Sequence, residues 1–295
     1  MRIVAIVQAR MGSTRFPGKV MALVDGIPMI KILLERLSLS NQINEIIVAT
    51  SEKPEDVVLK NYVLELGYSC FCGNETDLMD RYLQAAQILK ADTIVRITGD
   101  CPLVDPSVVD EVIRRFKATG VDYASNVSPP TYPDGLDVEV FSFDALQRAY
   151  IETDLPFNRE HVTPYLRNSG KFRQTIVSND EDLSGLRWTV DEECDFKVIC
   201  NVFNYFSPNI HFSWKEVVNL QRKKPELFEK NQHIMRNEGA TMTTGQKLWL
   251  RTKKKSLKEM HYYSNIQTCL FLLNGLFIIK KQRVVVFGIW MKKNT

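Results

Sequence analysis

The chain opens on a continuous apolar run, residues 3–7 (IVAIV), without the polar alternation of a half-exposed strand. Such a run reads as a strand buried on both faces. Two more runs share the pattern, at 45–50 (EIIVAT) and 93–98 (TIVRIT). Between them apolar positions recur at helical spacing, around Met29–Leu39, over 55–66 up to Gly67, over 77–90 and over Asp105–Ala118. The stretch 72–77 reads as a loop. Strands alternating with helices of this length predict an α/β fold, a mostly parallel sheet with helices on both faces. Ligands of such sheets sit beyond the carboxyl ends of the strands, which directs attention to residues 8–19 and 99–105.

From about residue 121 the texture changes. Short runs at Tyr123–Asn126 and Asp137–Phe141 are broken by Pro129, Pro130 and Pro133, and a strand-like run follows at 186–190 (LRWTV). These predict extra strands in an excursion that closes over the substrate side of the sheet. The stretch Asn204–Trp214 and the helical spacing over 214–223 finish a domain near residue 235.

Composition adds limits. The 295 residues are 44% apolar and 25% charged, as in an ordinary globular protein, which excludes a disordered or fibrous chain. A net charge of +3 conceals an asymmetry: residues 236–295 carry +10 and residues 1–235 carry −7. The acidic main part and the lack of a basic face interleaved with aromatics argue against nucleic acid as a partner. Six cysteines without metal-binding spacing read as reduced, mostly buried intracellular thiols. The first apolar run is too short for a signal sequence, and Cys269–Ile279 is too short to span a bilayer. A cytoplasmic location without a membrane partner is the expectation.

Three segments carry candidate chemistry. Residues 8–19 (QARMGSTRFPGK) follow the first strand directly. Gly12 and Gly18 allow tight turns, Ser13 and Thr14 offer hydroxyls and amides, and Arg10, Arg15 and Lys19 add three cations. Amides that cradle oxygens and cations that neutralise charge are what a polyphosphate needs. No acid lies nearby in the sequence, which favours phosphate over a solvated basic loop. Neither P-loop nor GxGxxG spacing is present. In residues 96–105 (RITGDCPLVD), Asp100 ends a buried strand just past a glycine and suits Mg²⁺, which binds through one or two carboxylates plus phosphates. Asp105, before Pro106, reads as a helix cap. In residues 187–195 (RWTVDEECD), Asp191 has the same placement as Asp100, so the two can share one metal. Glu192, Glu193 and Asp195 crowd it, and spacing alone does not choose among these acids.

These segments, with YPDGLDVEVF at 132–141 and REHVTPY at 159–165 in the same order, resemble the SpsF-type (spore coat polysaccharide) cytidylyltransferases. That family is related to acylneuraminate and 3-deoxy-manno-octulosonate cytidylyltransferases, and the likeness covers roughly residues 1–235. It implies a Rossmann-like nucleotidyltransferase fold in which CTP and a sugar acid give a CMP-sugar and pyrophosphate. It further implies that the backbone around Ala9, Arg10, Met11 and Gly12 also faces the base. Arg10, Arg15 and Lys19 hold the β- and γ-phosphates in that picture, with Ser13 beside them and Asp100 and Asp191 on Mg²⁺. Arg10, Lys19 and Asp100 are thereby the expected catalytic residues. Phe16 replaces the usual Leu, an apolar exchange. Residues 73–82 (GNETDLMDRY) resemble the family's segment near the nucleotide, which adds Arg81. The relatives also imply a homodimer.

On the substrate side, Asp137 and Glu139 follow a Pro-Asp-Gly turn, and Arg159, Glu160 and His161 follow later. Together they suit sugar hydroxyls and a carboxylate, with Arg159 fitted to a bidentate pair. The competing reading leaves Asp137 and Glu139 facing solvent and Arg159–Glu160 as a surface pair. His161 reads equally as a base or as a histidine satisfied by hydrogen bonds. Transfer of another nucleotide, or a nucleotide-binding subunit without turnover, are the alternative functions.

Residues 236–252 resemble the linker and opening helix of a class III aminotransferase that some family members carry as a fused domain, which implies a fused or separate aminotransferase partner. After Lys253–Lys255 that likeness stops. Residues 253–295 read as an abnormal basic and apolar tail, the product of a reading-frame slip. The competing reading is a membrane-surface anchor.

Overall fold

The computed structural model describes residues 1–236. The expected linker beyond Arg236, the tail 253–295, Cys269 and the apolar run 269–279 lie outside the described residues.

The strands are β1 (Ile3–Gln8), β2 (Leu23–Val24), β3 (Ile27–Pro28), β4 (Glu45–Ser51), β5 (Ser69–Gly73), β6 (Thr93–Thr98), β7 (Tyr123–Ser125), β8 (Glu139–Ser142) and β9 (Gln174–Ile176). The α-helices are α1 (Met29–Leu37), α2 (Val57–Glu65), α3 (Leu78–Ile88), α4 (Pro106–Thr119), α5 (Phe143–Glu152), α6 (Pro156–His161), α7 (Pro164–Asn168), α8 (Glu193–Phe206) and α9 (Trp214–Lys223). A seven-stranded sheet runs in the order β5-β4-β1-β6-β8-β7-β9, and β2 and β3 form a separate small hairpin. The β5, β4, β1 and β6 strands are mutually parallel, while β8 runs antiparallel to both β6 and β7.

Alternation along β1 sorts its side chains onto two cores. Ile3, Ala5 and Val7 join the core under α1, α4, α8 and α9, whereas Val4 and Ile6 join the one under α3, α5 and α7. Each fully buried aliphatic side chain contributes about 1.5–3 kcal/mol, so the continuous run at 3–7 anchors both layers. The chain builds β1, β4 and β5 toward one edge and returns through α3 to place β6 on the other side of β1. The order therefore reverses between β1 and β6, and ligands of such sheets bind at that crevice.

The helix caps explain several boundaries. Asp105 accepts from the Ser107 amide at 2.8 Å to start α4, and from the Trp214 amide at 2.7 Å. Two expectations need correction. Residues 186–190 form no strand, only a single parallel bridge between Asp134 and Arg187, because Val190 spends its amide on the Asp100 carbonyl at 2.8 Å. Cys70 and Cys72 belong to edge strand β5 and are half-buried, as are Cys194 and Cys200; of the five described cysteines only Cys101 is buried.

Candidate active site

Gly99 joins the two segments at the switch point. Its amide donates to the Gln8 carbonyl at 2.8 Å, and a Cβ there would stand 2.9 Å from that oxygen and from the Ala9 Cβ. Only glycine permits so close an approach, and it sets Asp100 directly beside the start of the 8–19 loop. Gly135, at φ 111°, does the same farther out, where a Cβ would meet the Trp188 backbone at 2.8 Å. It packs the Pro-Asp-Gly turn against the segment that leads to Asp191.

The 8–19 loop is fixed by its own backbone. The amides of Ser13 and Gly18 both donate to the Met11 carbonyl at 2.9 Å, and Ser13 Oγ accepts from the Phe16 amide at 3.3 Å. Asp56 receives the Met11 amide at 2.6 Å and also holds Ser51, tying the loop to the end of β4. Phe16 packs on Phe196 of α8, ring centres 5.4 Å apart. Among the described residues, no protein group accepts from the amides of Gly12, Thr14 or Arg15. Those amides and the loop's cations are groups of the kind that suit an anion.

Lys19 is the hub. Its Nζ lies 3.1 Å from Asp100 Oδ2 and 3.1 Å from Asp191 Oδ1, and donates to the Val190 carbonyl at 2.6 Å. Burial works against the lysine's charge, but the two carboxylates outweigh it and raise the pKa above the ordinary lysine value. Burial alone would raise Asp100. The charge of Lys19 and hydrogen bonds from Thr98 and Lys19 prevail and hold it down to about 2. Arg15 lies 3.0 Å from Asp191 and 3.8 Å from Glu192, while Arg10 is 3.7 Å from Glu75, which also binds Lys53 at 2.6 Å. The sequence suggested that no acid stood near this loop. The fold supplies four, Glu75, Asp100, Asp191 and Glu192, so the cations are balanced before any phosphate arrives.

The crowding at 191–195 resolves by geometry. Asp195 is fully buried and takes Arg187 through two bonds of 2.8 Å, together with the amides of Asp191 and Glu192 and the Asn231 side chain. Asp191 is the acid that reaches Lys19. Arg187 also approaches Asp134 at 3.3 Å and Asp191 at 3.4 Å, so a buried arginine aims the outermost carboxylate. The sequence reading did not single out Arg187, Asp134 or Asp195 as supports. A charged residue inside the apolar run LRWTV was the available signal.

The remaining candidates divide. Ala9 and Met11 lie in the backbone that follows β1. Arg81 is redirected: its Nε and Nη2 donate to the carbonyls of Asn74 and Glu75, so it braces the loop that carries Glu75. Arg159 is also committed. Its guanidinium bonds the carbonyls of Thr153 and Tyr150 and the carboxylates of Asp77 and Asp154, and stacks 3.9 Å over Tyr150. Four of its five N–H donors are taken by the protein, which leaves no free pair for a bidentate substrate contact, and it makes no pair with the exposed Glu160. His161 sits edge-on to Phe157, ring centres 4.6 Å apart, and burial lowers its pKa. Asp137 pairs with Arg236 but keeps about a third of its side chain exposed, whereas Glu139 is buried beneath Arg96 and Tyr123 and does not face solvent.

Two carboxylates meeting at one lysine is a donor set that suits Mg²⁺, which takes one or two carboxylates and completes its shell with phosphate and water oxygens. Among the described residues no group of three or more His, Cys, Asp and Glu forms a cage for a metal bound by protein alone. Nor is any described helix long and apolar enough to cross a membrane.

Comparison with known proteins places this geometry. A family model described as cytidylyltransferase matches residues 4–268. The chain is 35% identical to the uncharacterized protein MJ1063 of Methanocaldococcus jannaschii, over 79% of this chain and 96% of that one. It is 29% identical to the spore coat polysaccharide biosynthesis protein SpsF of Bacillus subtilis, over 76% and 95%. Among solved structures, a cytidylyltransferase from Leptospira borgpetersenii aligns with a TM-score of 0.76 at 33% identity, covering 80% of this chain and all of that one. Sheet order and match agree on a Rossmann-like nucleotidyltransferase fold. This chain belongs to the cytidylyltransferase family.

Proposed function

We propose that this protein transfers CMP from CTP to a hydroxyl of a sugar acid, releasing pyrophosphate, and so supplies a nucleotide sugar for polysaccharide synthesis. The observation that carries the reading is the convergence of Asp100 and Asp191 on Lys19 beside the 8–19 loop. Support for the acceptor class comes from the relatives. One is a 3-deoxy-manno-octulosonate cytidylyltransferase from Pelobacter propionicus, 37% identical over 39% of this chain and 44% of its own length.

In this mechanism the amides of Gly12, Thr14 and Arg15 and the side chains of Arg10, Arg15 and Lys19 hold the triphosphate. Asp100 and Asp191 would hold Mg²⁺, which when bound supplies Lewis-acid stabilisation of charge on phosphate oxygens. The acceptor hydroxyl attacks the α-phosphorus, its bond to phosphorus forms as the bond to the bridging oxygen of pyrophosphate breaks, and the hydroxyl proton passes to solvent. The protein contributes alignment and fixed positive charge. Lys19 keeps its proton throughout, and Arg187 with Asp195 keeps Asp191 aimed inward.

Pyrophosphate release assayed with the four ribonucleoside triphosphates against a panel of sugar acids tests the proposal. Release confined to CTP with a sugar acid is expected. Preference for another triphosphate would reassign the nucleotide, and silence with every pair would indicate a binding subunit without turnover.

A further inference from the structure

A second cationic cluster lies in the core beneath α3, α5 and α7, and the triphosphate machinery does not use it. Arg96, on β6, donates through Nη1 to Glu139 Oε2 at 2.5 Å. Arg167, on α7, stands 4.0 Å from the other oxygen of that carboxylate, which also accepts from Tyr123 at 2.5 Å. Two guanidinium groups thus share one acid. Asp137, the next acid along, is occupied by Arg236 and cannot neutralise the excess.

The arginines are under-bonded. The Nε groups of both Arg96 and Arg167 are buried without a hydrogen-bond partner, although most buried polar atoms have one. Leaving such a donor unpaired is costly, so the pair is short of acceptors for its N–H groups. Each side chain nevertheless keeps part of its surface open, 16% for Arg96 and 28% for Arg167, so a ligand can reach the pair. Arg159, the residue the sequence suggested for gripping a carboxylate, has four of its five N–H donors taken by protein.

Position ties the cluster to the reaction. Arg96 is four residues before Asp100 in one strand and turn, and Thr98 between them hydrogen-bonds Asp100. Tyr82 lies within electrostatic reach of both Arg96 and Asp100, and its hydroxyl donates to Gln8 at the mouth of the phosphate loop. His161 is close enough to feel the charges of both arginines. A net positive, under-bonded pair of planar forks near the metal-binding acid fits a planar anion.

We propose that the Arg96–Glu139–Arg167 cluster is the subsite that receives the carboxylate of the acceptor, with Glu139 holding the two guanidinium groups in place. This rests on the cytidylyltransferase reading above and adds which residues select an acid over a neutral sugar. Arg167 is the better residue to alter, being nearer the surface.

The test is calorimetric titration of the full chain, preloaded with the non-hydrolysable α,β-methylene analogue of CTP. The probes are 3-deoxy-manno-octulosonate, N-acetylneuraminate and their C1 methyl esters. The wild type is expected to bind at least one acid about tenfold or more tighter than its ester. Arg167→Gln should bring that ratio to about one without altering affinity for the CTP analogue, and Arg167→Lys should give an intermediate ratio. Arg96→Gln should follow Arg167→Gln if it folds, and the surface variant decides the matter if it does not. An acid-over-ester preference that survives Arg167→Gln would overturn the assignment. So would a wild type that prefers no acid over its ester, or that binds neither. Failure to bind the CTP analogue is a separate result, counting against the enzyme function and read independently of the ratio.

Discussion

Lys19 and Asp100 are 81 positions apart in the chain, yet the lysine's Nζ stands 3.1 Å from the carboxylate, closing the crevice where the strand order reverses. That contact makes Asp100 the natural first target. Asp100→Asn keeps the size of the side chain and removes its charge. Turnover should fall about 10²–10³-fold, the scale on which preorganised electrostatic groups contribute, and the melting temperature should fall as well because buried Lys19 loses one of its two carboxylates. Steady-state pyrophosphate release checks this, and a variant as active as wild type would remove Asp100 from the chemistry.

Arg187 and Asp195 form a buried pair that holds Asp191 from behind. Breaking a buried pair by deleting one partner strands the other charge, at a cost of about 3–5 kcal/mol. Arg187→Met should lower the unfolding free energy read from urea denaturation by that amount, and the folded fraction should turn over more slowly because Asp191 loses its brace. A change within experimental error would mean that the pair contributes nothing to either.

Gly99→Ala forces a methyl group to within 2.9 Å of the Gln8 carbonyl and the Ala9 side chain. The backbone oxygen cannot swing away, so the β1 and β6 ends must part. Overpacking of this kind costs about 1–3 kcal/mol. CTP affinity should weaken alongside stability, since the displaced element is the start of the 8–19 loop proposed to hold the triphosphate. Calorimetry with CTP and urea denaturation of the same variant read both effects.

Stability should depend on pH through Asp134, whose pKa is raised to about 7 by burial and by the charge of Asp137, against the opposing pull of Arg236 and Arg187. In the unfolded chain an aspartate titrates near ~3.9. Between those values the native state keeps a proton that the unfolded state has lost, so stability falls as pH rises from about 4 to about 7. Asp100 acts oppositely: with its folded value held down to about 2, its contribution is present above about 4 and disappears as pH drops toward 2. Urea midpoints measured from pH 4 to 8 should decline in the wild type and flatten in Asp134→Asn. Parallel curves would assign the slope to other groups.

The architecture was legible where burial on both faces left nothing to alternate: the runs that became β1, β4 and β6 are continuous and aliphatic. Edge strand β5 was not, because Ser69–Gly73 is half-buried and mixes cysteine, phenylalanine and glycine without a period. The acids of the candidate site could be picked out because each follows the end of an apolar run. What the sequence hid were long-range commitments. Arg159 looked free, and Asp77, 82 positions earlier, claims it; Arg96 lies inside the run that became β6, and Glu139, 43 positions later, gives it a partner. Charge pairing across the sheet has no local signature.

Diffraction from crystals grown with Mn²⁺ and the α,β-methylene analogue of CTP tests the central claim most directly. The account predicts an anomalous peak bound by the carboxylates of Asp100 and Asp191, with the triphosphate lying along residues 12–19. A metal bound elsewhere, or a nucleotide seated away from that loop, would contradict it.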